Sequence, residues 1–262
     1  METKVLSREA ILKYLVDALE PLDYVNAMWQ CGSAAFKRVD DWSDIDIIVD
    51  VEDDRLLEVF KICDAALESL APIEKTHVSN QALSPGACQK AYKFKGTSKY
   101  SIIEICAVKN SSPEKFLQRE IHGDIIVCFD KKNVTVHKPM DKKAFAESLK
   151  NRLLKMDNFF NLYQFLVDKE LNRHNYIEAL AFYNNFCINP LLLVLRMKYK
   201  PFRFEFKTRY IYYDLPAEVV EEVNDLFFVK DGEDLRVKHE KAIKWFNELV
   251  SELKTLDLEA LL

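Results

Sequence analysis

After Ser7 the apolar residues return every three or four positions. Ile11, Leu12, Leu15, Val16 and Leu19 share one helical face, with Ser7 placed to cap the helix and Pro21 to close it. The period then shortens. Tyr24 to Cys31 reads as a strand, and Asp44 to Val51 reads as a second one with Ile45, Ile47 and Val49 on one face. Helical spacing resumes over residues 54–70 through Leu56, Leu57, Phe60, Cys63, Leu67 and Leu70. Ile73 to Val78, Gln89 to Lys95 and Tyr100 to Val108 read as extended, and Gly123 to Phe129 as an added edge strand.

From Asp141 the pattern changes. Phe145, Leu149, Leu153, Met156, Phe160, Tyr163 and Val167 recur at three and four, the mark of a long amphipathic helix, and the remainder of the chain is predominantly helical. Pro190, inside an apolar run, is expected to kink or break one of these helices. The change of period sets a boundary near Pro139, between an α/β part at residues 1–139 and a helical part at 140–262.

Composition narrows the function classes. With 262 residues, 49% of them hydrophobic, the chain can bury a full core, and only 5 glycines and 8 prolines leave little material for flexible linkers. A net charge of −5 provides no global basic field for a long phosphate backbone, so nucleic acid is not an expected partner. The 6 cysteines include no C-x-x-C pair and read as small buried hydrophobes in a reducing compartment, and the 5 histidines are too dispersed for a zinc site. Met1 to Lys4 leads into an amphipathic stretch without an apolar signal core, and no run of ~20 uncharged apolar residues occurs later in the chain. The expectation is a cytoplasmic protein, monomeric or homodimeric, without a membrane partner.

The chemistry concentrates in one stretch. Gly32-Ser33 is followed, after ten residues, by Asp44-Ile45-Asp46 at the start of an apolar strand. Carboxylates two apart on a strand face the same way and repel unless a cation compensates them, and oxygen ligands without nitrogen or sulfur select Mg²⁺. Gly32 permits close backbone approach, and Ser33 opens a short helical segment whose free N–H groups suit a phosphate. Glu104, inside another apolar strand, would complete a two-metal site and take a proton from an attacking hydroxyl.

The stretch GSAAFKRVDDWSDIDIIV with a later strand carboxylate resembles the nucleotidyltransferases of the DNA polymerase beta superfamily. The resemblance implies an α+β protein whose N-terminal mixed-sheet catalytic domain precedes a C-terminal helical bundle. It implies two Mg²⁺ ions held by Asp44, Asp46 and Glu104, and a nucleoside triphosphate, ATP first, contacted by Gly32 and Ser33. That order of domains is similar to the antibiotic nucleotidyltransferases acting on aminoglycosides or lincosamides. The segment RMKYKPFRFEFKTRYIYYDLP resembles a basic, aromatic stretch of the aminoglycoside-type members and brings in Arg203, Lys207 or Arg209 as triphosphate contacts, Lys207 and Arg209 foremost. The acceptor implied is a small hydroxylated molecule. Glu104 stands where many members carry Asp.

Plainer readings compete at several positions. Asp44 and Asp46 without Gly32-Ser33 would read as ordinary turn acids at a strand start, and Glu104 could be an edge residue or half of a buried ion pair. The six basic residues between Arg196 and Arg209 fit solvated cations flanking core aromatics as well as triphosphate contacts. Lys37 and Arg38 read as surface cations, and Glu218, Glu221, Glu222 and Asp225 as the charged face of an exposed helix. Two other functions remain open: a protein-modifying adenylyltransferase, and a silent nucleotide- or ligand-binding module.

Overall fold

A computed structural model describes residues 6–79 and 85–262; the Met1 to Lys4 lead-in lies outside the described residues. The fold is α+β, and the chain divides into two compact units, Met1–Pro139 and Met140–Leu262.

In the first unit, helix α1 (Arg8–Leu19) begins where Ser7 Oγ accepts the Ala10 N–H at 3.2 Å, and it buries Ile11, Leu15 and Leu19. Strands β1 (Val25–Gln30) and β2 (Ile45–Val51) flank the one-turn helix α2 (Gly32–Ala35). Helix α3 (Glu58–Leu70) starts later than the apolar spacing suggests. The reason is Asp53, whose carboxylate accepts both the backbone N–H and the hydroxyl of Ser111 and holds the chain in a turn there.

Strands β3 (Ile73–Ser79), β4 (Ala87–Phe94) and β5 (Ile103–Lys109) come next, then the short helix α4 (Arg119–His122) and strand β6 (Ile126–Asp130). β5 begins at Ile103 rather than Tyr100 because Ser101 N–H donates to the Ser98 carbonyl, closing a turn just before it. The six strands form one mixed sheet in the order β3-β4-β5-β2-β1-β6, with β6 at an edge. β2 and β5 run parallel at its centre, and every other pairing is antiparallel.

One face of the sheet carries the main core of this unit. Ile45, Ile47, Val49 and Val51 of β2, with Ile103, Ile105 and Ala107 of β5, pack against Ile11, Leu15, Val59, Phe60, Cys63 and Leu67 from α1 and α3. Burying each of the larger side chains contributes about 1.5–3 kcal/mol, so this face fixes the register of both central strands. The opposite face has a smaller core of Ala27, Trp29, Ile48, Ala87, Cys106 and Val108.

The second unit is helical among its described residues. Helix α5 (Lys142–Tyr163) starts at Asp141, whose carboxylate accepts the Ala144 N–H at 3.0 Å, and is followed by α6 (Leu166–Asn172) and α7 (Tyr176–Tyr183). Pro190 does not break the run that continues from there. A π-helical turn at Asn184–Ile188, in which Asn189 N–H donates to the Asn184 carbonyl, widens the backbone just before the proline, and helix α8 (Asn189–Tyr199) carries on. Joined, Tyr176–Tyr199 is long and apolar enough by composition to cross a membrane, yet half of its most apolar window is buried inside this unit.

A 3₁₀ stretch (Pro201–Phe206) and helices α9 (Ile211–Asp214), α10 (Ala217–Phe227) and α11 (Gly232–Thr255) complete it. The Phe160 and Phe246 rings stack at 3.7 Å between α5 and α11. The acidic residues of α10 are exposed while Val219, Val220, Val223 and Leu226 are buried, the ordinary division of a surface helix.

Candidate active site

The two central strands share an irregularity. β2 is buried along its whole length except at its second residue, Asp46, and the second residue of β5, Glu104, is half-buried between buried neighbours. The register sets Asp46 directly opposite Glu104. Both side chains therefore lie on the sheet face away from α1 and α3, at the end of that face where the small apolar core stops.

Gly32 abuts this pair. Its φ is +59°, and a Cβ built there would run into the Asp46 carboxylate. Cys31 N–H donates to the Asp46 carbonyl at 3.0 Å, which ties the residue before the glycine to the same position. Only glycine satisfies both the left-handed backbone and the contact. In α2 the Ser33 hydroxyl is shielded from solvent and makes no hydrogen bond.

The segment between α2 and β2 is shaped by Asp40. Its carboxylate accepts from the Trp42 N–H and the Ser43 hydroxyl, an Asx-type turn that brings the chain round into β2. Arg38 N–H donates to the Ser33 carbonyl at 2.9 Å and closes the loop on its other side.

Asp44 sits one residue before β2, so its side chain is not simply in line with Asp46. Its carboxyl accepts from the Ile102 backbone N–H, and burial nonetheless pushes its pKa above the ordinary value. Glu104 is also pushed up, by burial first and then by the charges of Asp46 and Asp44, while a hydrogen bond of 2.8 Å from Gln89 Nε2 to its Oε2 works the other way.

Arg8, in the first turn of α1, donates from Nη2 to the Asp44 carbonyl at 2.7 Å. Burial lowers its pKa, and Asp46, Glu9 and Asp44 raise it again. Neither Arg8 nor Gln89 stood out in the sequence. The signal available for Arg8 was a cation in the first turn of a helix, where the dipole disfavours it. For Gln89 there was none beyond its place in a strand.

The donor types suit a hard divalent cation: Asp46 and Glu104 are paired in register, Asp44 lies two residues before Asp46, and a shielded hydroxyl and a glycine lie alongside. The set is not closed. Among the described residues, no group of three or more His, Cys, Asp or Glu side chains is drawn close enough to hold a metal ion. Ile102 and Gln89 engage two of the three carboxylates instead.

A cavity of about 570 Å³ lies elsewhere in this unit, against the loops that follow β5 and β6. Lys115 and Lys132 on its wall are ion-paired to Asp50 and Glu52. Asp50, on the same strand as Asp46, is fully buried and also accepts from Asn26 Nδ2 at 2.8 Å, so it is a structural carboxylate.

Lys207 and Arg209 belong to the second unit and are exposed on the turn after the 3₁₀ stretch. Lys207 has φ +51° and Tyr210 φ +60°. Arg196 is fully buried beneath them. It donates from Nε to the Lys207 carbonyl at 2.6 Å, to the Arg209 carbonyl, and from Nη1 to Asp214 at 3.0 Å. Arg203 donates to the other Asp214 oxygen at 3.1 Å. Four of the six basic residues thus divide into two structural arginines, Arg196 and Arg203, and the exposed pair Lys207 and Arg209, with Arg209 stacked 4.0 Å above the Phe206 ring, while Lys198 pairs with Glu252.

No protein-family profile matches the chain, and no curated protein matches it in sequence. A crystal structure of an aminoglycoside 6-adenyltransferase from Bacillus subtilis overlaps 95% of this chain and 90% of its own at 14% identity, with a TM-score of 0.37. At that level the overlap decides neither fold nor activity.

Proposed function

We propose that the protein is a magnesium-dependent nucleotidyltransferase that moves a nucleoside monophosphate, AMP from ATP in the first instance, to a hydroxyl of a small molecule and releases pyrophosphate. The observation that carries this reading is the contact of Gly32 with the Asp46 carboxylate, which in turn lies opposite Glu104 on the parallel neighbouring strand. It gives a spatial reason for the order glycine-serine, paired aspartates, later strand carboxylate that the sequence shares with the polymerase beta superfamily.

Asp44 and Asp46 would hold Mg²⁺, with Glu104 joining after releasing Gln89. A metal held there would supply charge neutralisation to the triphosphate and polarisation of its phosphoryl oxygens. Ser33, with a hydroxyl free to donate, would hold a phosphate oxygen beside Gly32. Glu104, made more basic by burial and by its neighbours, would accept the proton of the acceptor hydroxyl as the new oxygen–phosphorus bond forms and the bond to pyrophosphate breaks. Lys207 and Arg209 are proposed as further triphosphate contacts, and an aminoglycoside-like antibiotic as one class of acceptor.

The unclosed carboxylate set favours a second reading, a module that binds nucleotide without turning it over. Pyrophosphate release from the four nucleoside triphosphates with Mg²⁺ and a pooled panel of aminoglycosides, lincosamides and sugars separates the two. Turnover that disappears in Asp46→Asn supports the enzyme. Nucleotide binding without turnover supports the module, and no nucleotide binding at all removes both.

A further inference from the structure

The cavity of about 570 Å³ against the loops after β5 and β6 is large enough for a whole small molecule. Part of its lining is apolar: Leu117 and Val134 face it and also pack on the small core of Trp29 and Ile48. Another part is cationic, with Lys115, Lys132 and Lys138, and among the described residues no acidic side chain lines it.

Both loops are held in place from within. After β6, the Asp130 carboxylate accepts from the backbone N–H groups of Lys132, Val134 and Thr135 and from the Thr135 hydroxyl. After β5, the buried Ser112 hydroxyl lies within hydrogen-bond reach of the Pro85 and Glu114 carbonyls, at 3.2 and 3.0 Å. Each loop also keeps one residue in the left-handed region, Phe116 and Asn133, both at φ +57°. For a bulky phenylalanine that backbone is strained and persists only where its surroundings impose it.

The three lysines are not equivalent. Lys115 spends its ammonium on the fully buried Asp50 and on Asn110, so it belongs to the frame. Lys132 gives one of its three donors to Glu52, in a pair exposed enough to contribute little and to be shared readily. Lys138 is exposed and pairs with no carboxylate among the described residues. The lining therefore offers spare ammonium donors and net positive charge beside an apolar surface, and an organic anion satisfies both.

We propose that this cavity is a binding site for a small organic anion, its phosphate or carboxylate head held by Lys132 and Lys138 and its apolar body laid on Leu117 and Val134. The site is separate from the candidate active site. Asp50, to which its wall is tied through Lys115, stands four residues beyond Asp46 on β2, about 13 Å along the strand.

The test uses the full chain, isotope-labelled for amide spectra, and three probes that share a ring and differ in head group: naphthyl phosphate, naphthoate and uncharged naphthol. At least one anion is expected to shift the backbone amides of Leu117, Asn133 and Val134 saturably, with naphthol about tenfold weaker or more. The tighter anion names the head group. Lys132→Gln and Lys138→Gln are each expected to weaken the anion about 3–10-fold and to leave naphthol unaffected, whereas Lys132→Arg retains the affinity. Both lysines are exposed, so these variants are expected to fold as the natural protein does.

A plain apolar patch would take naphthol as tightly as the anions, and that result overturns the proposal. Anion affinity unchanged in both glutamine variants overturns it too, as does the absence of saturable shifts at these amides. None of these outcomes bears on the nucleotidyltransferase reading, which rests on the other end of β2.

Discussion

The carboxylate of Asp46 fills the space that any side chain at Gly32 would occupy. Replacing Gly32 by alanine therefore adds a clash to a backbone already at φ +59°. Gly32→Ala is expected to lower stability by about 1–3 kcal/mol. It should also weaken binding of the metal-nucleotide complex by displacing Asp46. Urea denaturation and calorimetry on the same preparation check both. Full stability with full binding would show that the contact is dispensable.

Glu104 should act against stability at neutral pH. Its folded-state pKa is raised by burial and by Asp46 and Asp44. A carboxyl raised in this way contributes stability that is fully present below its unfolded value, about 4.3, and is lost as pH rises through the folded value. Glu104→Gln removes that loss and still accepts the Gln89 hydrogen bond through its amide oxygen. The variant is expected to be at least as stable as the natural protein at pH 7, with the difference closing below about pH 4, while turnover is abolished. Thermal melts across the pH range read the first effect and pyrophosphate release the second.

Asp46 and Asp50 lie on one strand, and their substitutions should behave oppositely. Asp50 is fully buried and holds Asn26 and the Lys115 ammonium, which is itself largely shielded. Asp50→Ala strands both partners and is expected to cost about 3–5 kcal/mol. Asp46→Asn keeps the shape of the side chain beside Gly32 and is expected to shift the denaturation midpoint far less than Asp50→Ala while removing the proposed Mg²⁺-dependent turnover. A stable, active Asp50→Ala protein would refute the structural role.

In the second unit, Arg196 ties the Lys207 and Arg209 carbonyls to Asp214 from a fully buried position. Arg196→Met removes one guanidinium from Asp214 and releases the Lys207 and Arg209 carbonyls of the turn. Exposed Lys207 and Arg209 then become accessible trypsin sites. Cleavage there is expected to accelerate by an order of magnitude or more, in line with a loss of about 3–5 kcal/mol. Mass spectrometry of a timed digest identifies the cut, and an unchanged rate would show that the turn holds without the guanidinium.

Much of this was legible along the chain, for local reasons. The Ser7 and Asp141 caps, the alternation of Ile45, Ile47 and Val49, and the edge strand near Phe129 all arise from short-range pattern. Asp46 and Glu104 stood out because each is a charge inside an apolar strand, and the register brings them together. Asp44 gave a mixed outcome, since its carboxyl turns to the Ile102 N–H across the strand gap. The hidden features depend on partners distant in sequence: Ser111 delaying α3, Gln89 reaching Glu104, and Arg8 meeting Asp44 from another helix. At Pro190 the regular α-helix is indeed interrupted, by a widened π turn just before the proline rather than by a break.

The parallel pairing of β2 with β5 also dictates when the candidate site can assemble during folding. The chain leaves β2, forms α3, β3 and β4, and only then returns as β5 to lie beside it. Asp46 and Glu104 become neighbours only through that long-range closure, a class of step that is slow because a large loop must be ordered before its contacts repay it. In a refolding experiment, helical signal should return first and nucleotide binding last, so recovery of ligand binding marks the moment at which the centre of the sheet has closed.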